Sequence, residues 1–389
     1  MKIAVITAFR NMPESYSLVN DVRDQIKLLM NQGHEVVFFA QETCAGEGID
    51  CEMRAILPHF RIEKEVVNEE AKKKIVDILK KELIDFDIAI THVLMYLRGF
   101  VTYRAAIMEC GVDIKWLHWV HSGIGEYLKL KMPNSKYIYM NHADKERFAK
   151  HIGVGIEDIG VIYNDKDPEL FFNWCNITKD IAKKVDLFRP DILQVYPFCT
   201  TRMNAKGIDK VIKTFSHLKK LGNKVLLICI NSNSRKKKEE IKDKMQLAKD
   251  LGLDENEIIF TSELDEQYDR GLPRQVVREL MQMANLFIFP SSAEVCSNVL
   301  LEASMTKQLI VINSDLPCLY DFTKDAIEFP FGSIYHTSFT SRNDESYKKL
   351  AETITEELKN NKINQQFLKI KRECNLNYIY ENQFKPLLQ

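Results

Sequence analysis

The sequence has almost no net charge, no long apolar run and no closely spaced cysteines, and each absence excludes a class of protein. Its 54 Lys and Arg residues and 55 Asp and Glu residues give a net charge of -1, which argues against a protein built to coat nucleic acid but allows a local basic patch. No apolar run approaches the roughly 20 residues of a membrane-spanning helix. We therefore expect no integral membrane segment. The nine cysteines show no C-x-x-C or metal-like spacing, so we expect reduced thiols and a cytoplasmic protein.

The apolar runs alternate with amphipathic segments, which predicts an α/β fold with parallel sheets covered on both faces. A helix is predicted over 17–32, with Leu18, Val22, Ile26 and Leu29 on one stripe. The length of 389 residues suits two domains, and the run of strands divides into two doubly wound series. The predicted strands lie at 2–7, 35–40, 87–91, 116–120, 137–140, 161–163, 193–198, 224–230, 257–261, 286–289 and 309–313.

The segment 290–302, P-S-S-A-E-V-C-S-N-V-L-L-E, places two carboxylates on either side of a strand-to-helix junction. Glu294 follows the predicted strand 286–289, Ser297 is the predicted N-cap of the next helix, and Glu302 lies about 7 Å along that helix. Helix N-termini bind anions, and carboxylates accept hydrogen bonds from hydroxyl groups. The junction therefore suits a ligand with a phosphate in the middle and sugars at both ends, such as a nucleotide sugar.

This segment resembles the E-x7-E signature of retaining glycosyltransferases of family GT4, which have the GT-B fold. The likeness continues into Q-L-I-V-I-N-S-D-L-P at 308–317. It implies two doubly wound Rossmann-like domains with an interdomain cleft: an acceptor-binding domain at 1–188, a nucleotide-sugar-binding domain at 189–365, and a C-terminal helix at 366–389 that packs back on the first domain. A linker is predicted at 186–191.

The segment that follows the strand 193–198 reads C-T-T-R-M-N-A-K-G and opens another predicted helix. It is similar to the G-R-x-x-x-x-K-G segment that neutralises the leaving diphosphate in GT4 enzymes. Lys206 and Gly207 align with the end of that pattern, whereas Cys199 and Thr200 replace its Gly-Arg, so that Arg202 is the arginine available. The resemblance implies that Glu294 holds the donor sugar and Glu302 the ribose. The predicted donor-binding residues are Arg202, Lys206, Gly207, Glu294, Val295, Cys296, Ser297, Asn298 and Glu302.

Two stretches of the first half also match the family. W-L-H-W-V-H-S at 116–122 is a strand that ends in His121, where GT4 enzymes similarly place a histidine beside the donor sugar, and His118 is interpreted as structural. V-I-Y-N-D-K-D-P-E-L-F at 161–171 resembles the segment that closes the first GT4 domain, so its D-x-D triplet at 165–167 is interpreted as structural. The predicted catalytic residues are His121, Lys206 and Glu294.

The loops of the first half depart from the family. Many GT4 enzymes carry a glycine pair in the first loop, but 8–15 has none, so Arg10 or a main-chain N–H group would have to contact phosphate. If the GT4 likeness holds, transfer retains the anomeric configuration, needs no metal or other cofactor, and uses a UDP- or GDP-linked sugar. Positive charge then stabilises the departing diphosphate.

The acceptor is expected beside the loops that follow the strands ending at Thr7, Thr91 and Val120, at Arg10, His92, Arg98 and Ser122. A glycan, a lipid or a small molecule is preferred. DNA with hydroxylated bases is the alternative, since Tyr96, Arg98, Phe100, Tyr103 and Arg104 interleave aromatic and cationic side chains. A nucleotide-sugar epimerase and a non-catalytic binding module are two further candidate functions. An epimerase would need further acid-base carboxylates, and a binding module would be expected to have lost Lys206, Glu294 or His121.

Overall fold

The structure of the chain is a computed structural model. It describes residues 1–389 apart from 14, 60–65, 122–127, 236, 296 and 335–342, and apart from the side chain of Arg98. The described chain divides into two compact units. Unit 1 comprises Met1–Lys166 and Glu373–Gln389, and unit 2 comprises Asp167–Arg372.

Unit 1 alternates strands and helices along the chain. Its strands are β1 (Lys2–Ile6), β2 (Glu35–Gln41), β3 (Glu52–Leu57), β4 (Ile88–His92), β5 (Lys115–Trp119), β6 (Ser135–Tyr139) and β7 (Ile159–Val161). Its first helices are α1 (Ser17–Asn31), α2 (Glu69–Glu82), α3 (Val101–Glu109) and α4 (Lys145–Ile152).

Unit 2 repeats the alternation. Its strands are β8 (Ile192–Cys199), β9 (Val225–Ser232), β10 (Ile258–Phe260), β11 (Leu286–Phe289), β12 (Leu309–Asn313) and β13 (Ile327–Phe329). Its helices are α5 (Pro168–Phe171), α6 (Asn176–Lys184), α7 (Ile208–Lys220), α8 (Lys238–Asp250), α9 (Thr261–Leu264), α10 (Arg274–Met281), α11 (Asn298–Met305), α12 (Asp344–Asn360) and α13 (Lys362–Glu373), the last of which ends at the first residue returned to unit 1.

The chain then returns to unit 1 with α14 (Leu376–Ile379), a π-helical turn at Tyr380–Phe384, and α15 (Lys385–Leu388). Tyr380 and Phe384 are buried in the core of unit 1 together with Trp119. The Phe384 ring lies 5.3 Å from the Trp119 ring, and Tyr380 Oη lies 2.9 Å from His34 Nε2. The last residues are therefore part of the first hydrophobic core.

The described strands of unit 1 form one sheet in the order β3-β2-β1-β4-β5-β6-β7, with every pairing parallel. This is the Rossmann strand order, extended by one strand. Helix α1 forms as predicted, because Leu18, Val22, Ile26 and Leu29 recur on the face that packs against the sheet. The prediction of two parallel, doubly wound α/β halves is confirmed.

Two observed strands were not predicted. β3 lies at the sheet edge, where most of its residues are partly exposed, and β13 is three residues long. Neither forms the apolar run by which buried strands are recognised.

The boundary between the two units lies after Lys166, whereas the sequence predicted it at 188. Helix α6 belongs to unit 2, because Thr178 Oγ1 donates to Glu279 Oε2 of α10 at 2.6 Å, and the Cys175 amide donates to the same atom at 3.0 Å. The predicted linker also lies inside unit 2, where the Asp191 carboxylate accepts from the Lys224 amide and from Arg372.

Candidate active site

The two halves of the unit 2 sheet meet at β8 and β11. The described strands form β10-β9-β8 and β11-β12-β13, and the Gln194 side chain joins β8 to β11. Gln194 Nε2 donates to Ile288 O at 2.9 Å, while Gln194 Oε1 accepts from Ile288 N at 3.0 Å. The strand order reverses here, and ligands of open α/β sheets bind at such a switch point. Lys206 and Glu294 follow these two strands.

Lys206 and Glu294 form an ion pair at this switch point. Lys206 Nζ donates to Glu294 Oε1, and the two side chains are only 14% and 8% exposed. Ser291 Oγ donates to the same carboxylate oxygen at 2.8 Å, and Lys206 Nζ also lies 5.4 Å from the centre of the Phe289 ring. The ammonium and the carboxylate are therefore held together in a largely desolvated setting, where electrostatic interactions are strong.

Gly207 sets the start of α7 against β11. It is the N-cap residue and has a left-handed backbone with φ of +68°. A Cβ atom at this position would lie 2.9 Å from Pro290 O. The same contact is reinforced by the Ser292 amide, which donates to Ala205 O at 2.9 Å, and by Tyr196 Oη, which donates to Lys206 O at 2.7 Å. A side chain here would push the Lys206 loop away from the Glu294 loop.

The predicted strand-to-helix junction forms at β11 and α11. Ser297 is the N-cap residue, as predicted, but its side chain makes no capping hydrogen bond. Asn298 is the exposed first residue of α11, and Val295 is 82% exposed. Cys296 lies outside the described residues. The main-chain N–H groups of the first turn are therefore not capped by Ser297, which leaves them for an anion.

Glu302 lies in the second turn of α11. It lines a groove of about 970 Å³ between α10 and α11, together with Arg274, Arg278 and Met305. Glu302 Oε1 is 3.7 Å from Nε of the exposed Arg274. Arg202, by contrast, is exposed in the turn after β8 and has no side-chain partner among the described residues.

In unit 1, the structure brings His92 and His121 together. His92 is the last residue of β4, and its Nδ1 atom lies 2.8 Å from Nε2 of His121, which follows β5. His92 Nε2 lies 2.9 Å from Gln25 Oε1 on α1, and His121 Nδ1 lies 4.0 Å from Asp21 Oδ2. Burial lowers the pKa of His121 to about 4 and the pKa of His92 well below its ordinary value, so both rings are neutral at pH 7.

His118 takes the structural position that the sequence predicted. It is buried within β5, and its Nδ1 atom lies 2.8 Å from Thr91 Oγ1. Burial lowers its pKa to about 3.

The D-x-D triplet caps a helix and adds a partly buried carboxyl group. Asp167 Oδ1 accepts from the Glu169 amide at 2.8 Å and so caps α5, in agreement with a structural interpretation. Burial, with the nearby Asp24 carboxylate, raises the pKa of Asp165 to about 7. Among the described residues, no group of His, Cys, Asp and Glu side chains is arranged to hold a metal ion.

The other residues predicted to bind the acceptor lie in segments that follow strands of unit 1, or outside the described residues. Arg10 is exposed in the loop after β1, Arg98 begins a 3-10 turn, its side chain being undescribed, and Ser122 lies outside the described residues. Two of the three aromatic side chains proposed to stack on DNA are packed instead. Tyr103 is buried and donates to Pro58 O, and Tyr96 is buried with its Oη accepting from the His121 amide. Bases cannot stack on rings that are inside the core.

Several residues at these two places had not been selected from the sequence. Ser291 gave no signal beyond its position in the loop before Glu294. Gln25 had a signal, because it is a polar residue on the buried stripe of α1, three residues after Val22 and four before Leu29. Asp21 precedes Gln25 by four residues, so both lie on the same helix face.

Comparison with known proteins finds a family similarity in the second half of the chain. Residues 195–357 match the family described as Glycosyl transferases group 1. This region lies within unit 2 and contains Lys206, Glu294 and Glu302, so the predicted resemblance to group 1 glycosyltransferases is confirmed there. No curated protein gives a significant match in sequence.

Solved structures also show similarity at low identity. A glycosyltransferase from Rickettsia africae is 13% identical, with 100% of this chain and 96% of that chain covered and a TM-score of 0.37. HepE from Anabaena in complex with UDP is 13% identical, with 98% of each chain covered and a TM-score of 0.36. WaaG, a glycosyltransferase of lipopolysaccharide biosynthesis, is 15% identical, with 99% and 97% covered and a TM-score of 0.33. None of the described helices is both long and apolar enough to cross a membrane.

Proposed function

We propose that the protein is a retaining glycosyltransferase that moves a sugar from a UDP- or GDP-linked donor to a hydroxyl group of a glycan, a lipid or a small molecule. The observation that carries this proposal is the Lys206–Glu294 ion pair at the switch point of unit 2. It places a cation and a carboxylate beside the N-termini of α7 and α11, within the region that matches group 1 glycosyltransferases.

The ion pair suggests how donor binding begins. Glu294 neutralises Lys206. A diphosphate would compete for the ammonium group, which would leave the Glu294 carboxylate, still held by Ser291, to accept hydrogen bonds from the sugar. The same two residues would then recognise adjoining parts of one ligand.

The reaction follows from where charge develops. Bond cleavage at the anomeric carbon leaves negative charge on the departing diphosphate. Lys206 and the uncapped start of α11 would stabilise that charge, each by about 2 to 4 kcal/mol in a closed site. The chain's own cationic groups would do this without a metal ion. Arg202, which is exposed and not engaged with any described partner, could add a further contact.

Incubation with a panel of UDP- and GDP-linked sugars, with and without EDTA, tests the proposal. We expect release of nucleoside diphosphate that EDTA does not abolish, and label from one donor in a glycan, lipid or small-molecule fraction with the anomeric configuration unchanged. Binding without release would indicate a non-catalytic module, and interconversion of the sugar would indicate an epimerase. Label in DNA with hydroxylated bases would replace the proposed acceptor class.

A further inference from the structure

The hydrogen bonds around His121 form a chain that fixes where its proton lies. Gln25 Oε1 can only accept, so the His92 Nε2 atom that faces it at 2.9 Å carries the hydrogen. A neutral His92 then has a bare Nδ1 atom, which accepts from His121 Nε2 at 2.8 Å. This leaves Nδ1 as the bare nitrogen of His121. This series of hydrogen bonds joins α1 to the ends of β4 and β5.

These groups are buried. His92 is 1% exposed, and Gln25 is also buried, so water cannot exchange for either partner. Burial also lowers the pKa of both histidines, which keeps the rings neutral. Among the described residues, Asp21 on α1, Tyr163 and Asp165 after β7 line the same cavity of about 30 Å³ as the two histidines.

We propose that Gln25 and His92 are positioning residues that hold His121 in its Nε2–H tautomer and present its bare Nδ1 atom, beside the Asp21 carboxyl group, to a hydroxyl group of the substrate. This rests on the proposed function for the identity of the substrate. It gives His92 a role other than direct contact with the acceptor, since the His92 ring is buried behind His121.

The arrangement decides which chemical group His121 can bind. A bare ring nitrogen accepts hydrogen bonds, and the oxygens of a carboxyl group beside it also accept them. Two adjacent acceptors favour a donor such as a sugar hydroxyl and disfavour a phosphate oxygen. His121 in this state would therefore recognise the sugar or the acceptor hydroxyl rather than the diphosphate.

Long-range proton–nitrogen NMR on the full chain, labelled with ¹⁵N-histidine, tests the tautomers directly without any donor. At pH 7.5 we expect a protonated Nε2 and a bare Nδ1 in both His92 and His121, assigned with His92→Asn and His121→Asn. Gln25→Leu should give mixed tautomers at both rings, whereas Gln25→Glu should restore the single tautomer, because a carboxylate also accepts from His92 Nε2. A protonated His121 Nδ1 in the wild-type protein would overturn the proposal.

The chain offers a matched control for loss of a buried glutamine. Gln41 is also buried in unit 1, and its Oε1 atom lies 3.2 Å from His59 Nδ1. Gln41→Leu should alter only the His59 signals, and an unchanged His121 tautomer in Gln25→Leu would also contradict the proposal. If Gln25→Leu does not fold, the wild-type and Gln25→Glu spectra still show which tautomer His121 adopts.

Turnover separates this inference from the proposed function. With an active donor, Gln25→Leu should lower kcat at least about tenfold with little change in KM for the donor, whereas Gln41→Leu should be silent. Absence of transfer with the expected tautomers would refute the function alone. Transfer with the opposite tautomer would refute the positioning role alone.

Discussion

At the scale of single residues, the ion pair of Lys206 with Glu294 links stability to activity. An exposed lysine at a helix start could be removed with little harm to the fold, because it contributes little packing. Lys206 is instead largely buried against Phe289, and its removal would leave the Glu294 carboxylate without its cation. Breaking a buried pair in this way costs more than the pair itself contributes.

We therefore expect Lys206→Met to lower turnover at least about a hundredfold and also to lower the melting temperature. The double variant Lys206→Met with Glu294→Gln should recover stability, since no unpaired charge remains, but not turnover. Lys220→Met, at an exposed lysine of the same helix, should change neither. Near-normal turnover of Lys206→Met would remove its role at the diphosphate.

The two carboxylates of the E-x7-E segment are expected to act at opposite ends of the donor. Glu294 is held at the switch point by Lys206 and Ser291, whereas Glu302 lines the groove with Arg274. Glu302→Gln should weaken binding of the bare nucleoside diphosphate, and Glu294→Gln should mainly impair transfer and sugar selection. Calorimetry with diphosphate and with the whole donor measures both effects. Equal losses of diphosphate affinity would show that the assignment is wrong.

Asp165 makes unit 1 sensitive to pH. Its folded-state pKa of about 7 lies above its ordinary value of 3.8 because the carboxyl group is buried near Asp24 and Asp21. Protonation therefore favours the fold: this contribution is fully present below pH about 4 and is lost as the pH rises through about 7.

Asp165→Asn should consequently raise stability at pH 8, by up to a few kcal/mol, and leave it nearly unchanged at pH 4. The amide can still donate to Asp24, to which Asp165 is hydrogen-bonded. Urea denaturation at the two pH values measures the effect, and Asp113→Asn, at an exposed aspartate, is the control. A gain of equal size at both pH values would contradict the explanation.

At the scale of elements, the start of α7 depends on the absence of a side chain at Gly207. Its backbone is left-handed, and a Cβ atom would meet Pro290 O. Gly222, after the end of the same helix, has φ of +88°, but a Cβ atom there would have no neighbouring atom within 4 Å. Gly222 therefore shares the backbone strain without the clash.

Gly222→Ala should cost about 1 kcal/mol of unfolding free energy from backbone strain alone. Gly207→Ala should cost clearly more and should also weaken donor binding, because the Lys206 loop must move away from β11. Urea denaturation and donor titration of the two variants separate strain from displacement. Equal costs for the two substitutions would argue against close contact at the switch point.

At the scale of the whole molecule, the last residues of the chain complete the core of the first unit. Phe384 packs on Trp119, and Gln383 Oε1 accepts from the Tyr163 amide at 2.7 Å. Phe384→Ala should destabilise unit 1 by about 3 to 5 kcal/mol. Tyr378→Ala, in the same segment but at a more exposed ring, should cost much less.

The three tryptophans allow this prediction to be localised, because Trp116 and Trp119 lie in unit 1 and Trp174 in unit 2. With Trp174 replaced by Phe, the fluorescence transition reports unit 1, and it should move to lower urea in Phe384→Ala. An unmoved transition would show that the terminal segment does not support that core.

Much of the architecture could be predicted from the sequence. The apolar runs predicted β11 and β12 at their observed bounds, and the stripe from Leu18 to Leu29 predicted α1, because the spacing of apolar residues follows local backbone geometry. The Glu294 and Glu302 spacing and the Lys206–Gly207 pair also predicted the family that the second half matches.

Which side chains contact each other depends on the three-dimensional fold. The pairing of Lys206 with Glu294, 88 residues apart, depends on the adjacency of β8 and β11, and the chain from Gln25 through His92 to His121 depends on the order β1-β4-β5. Sheet order arises from packing between segments that are distant in sequence, and the spacing of residues along the chain does not predict that packing. For the same reason, residue types alone could not predict that His92 and Tyr103 are buried. Their burial removes both side chains from any surface that a substrate could reach.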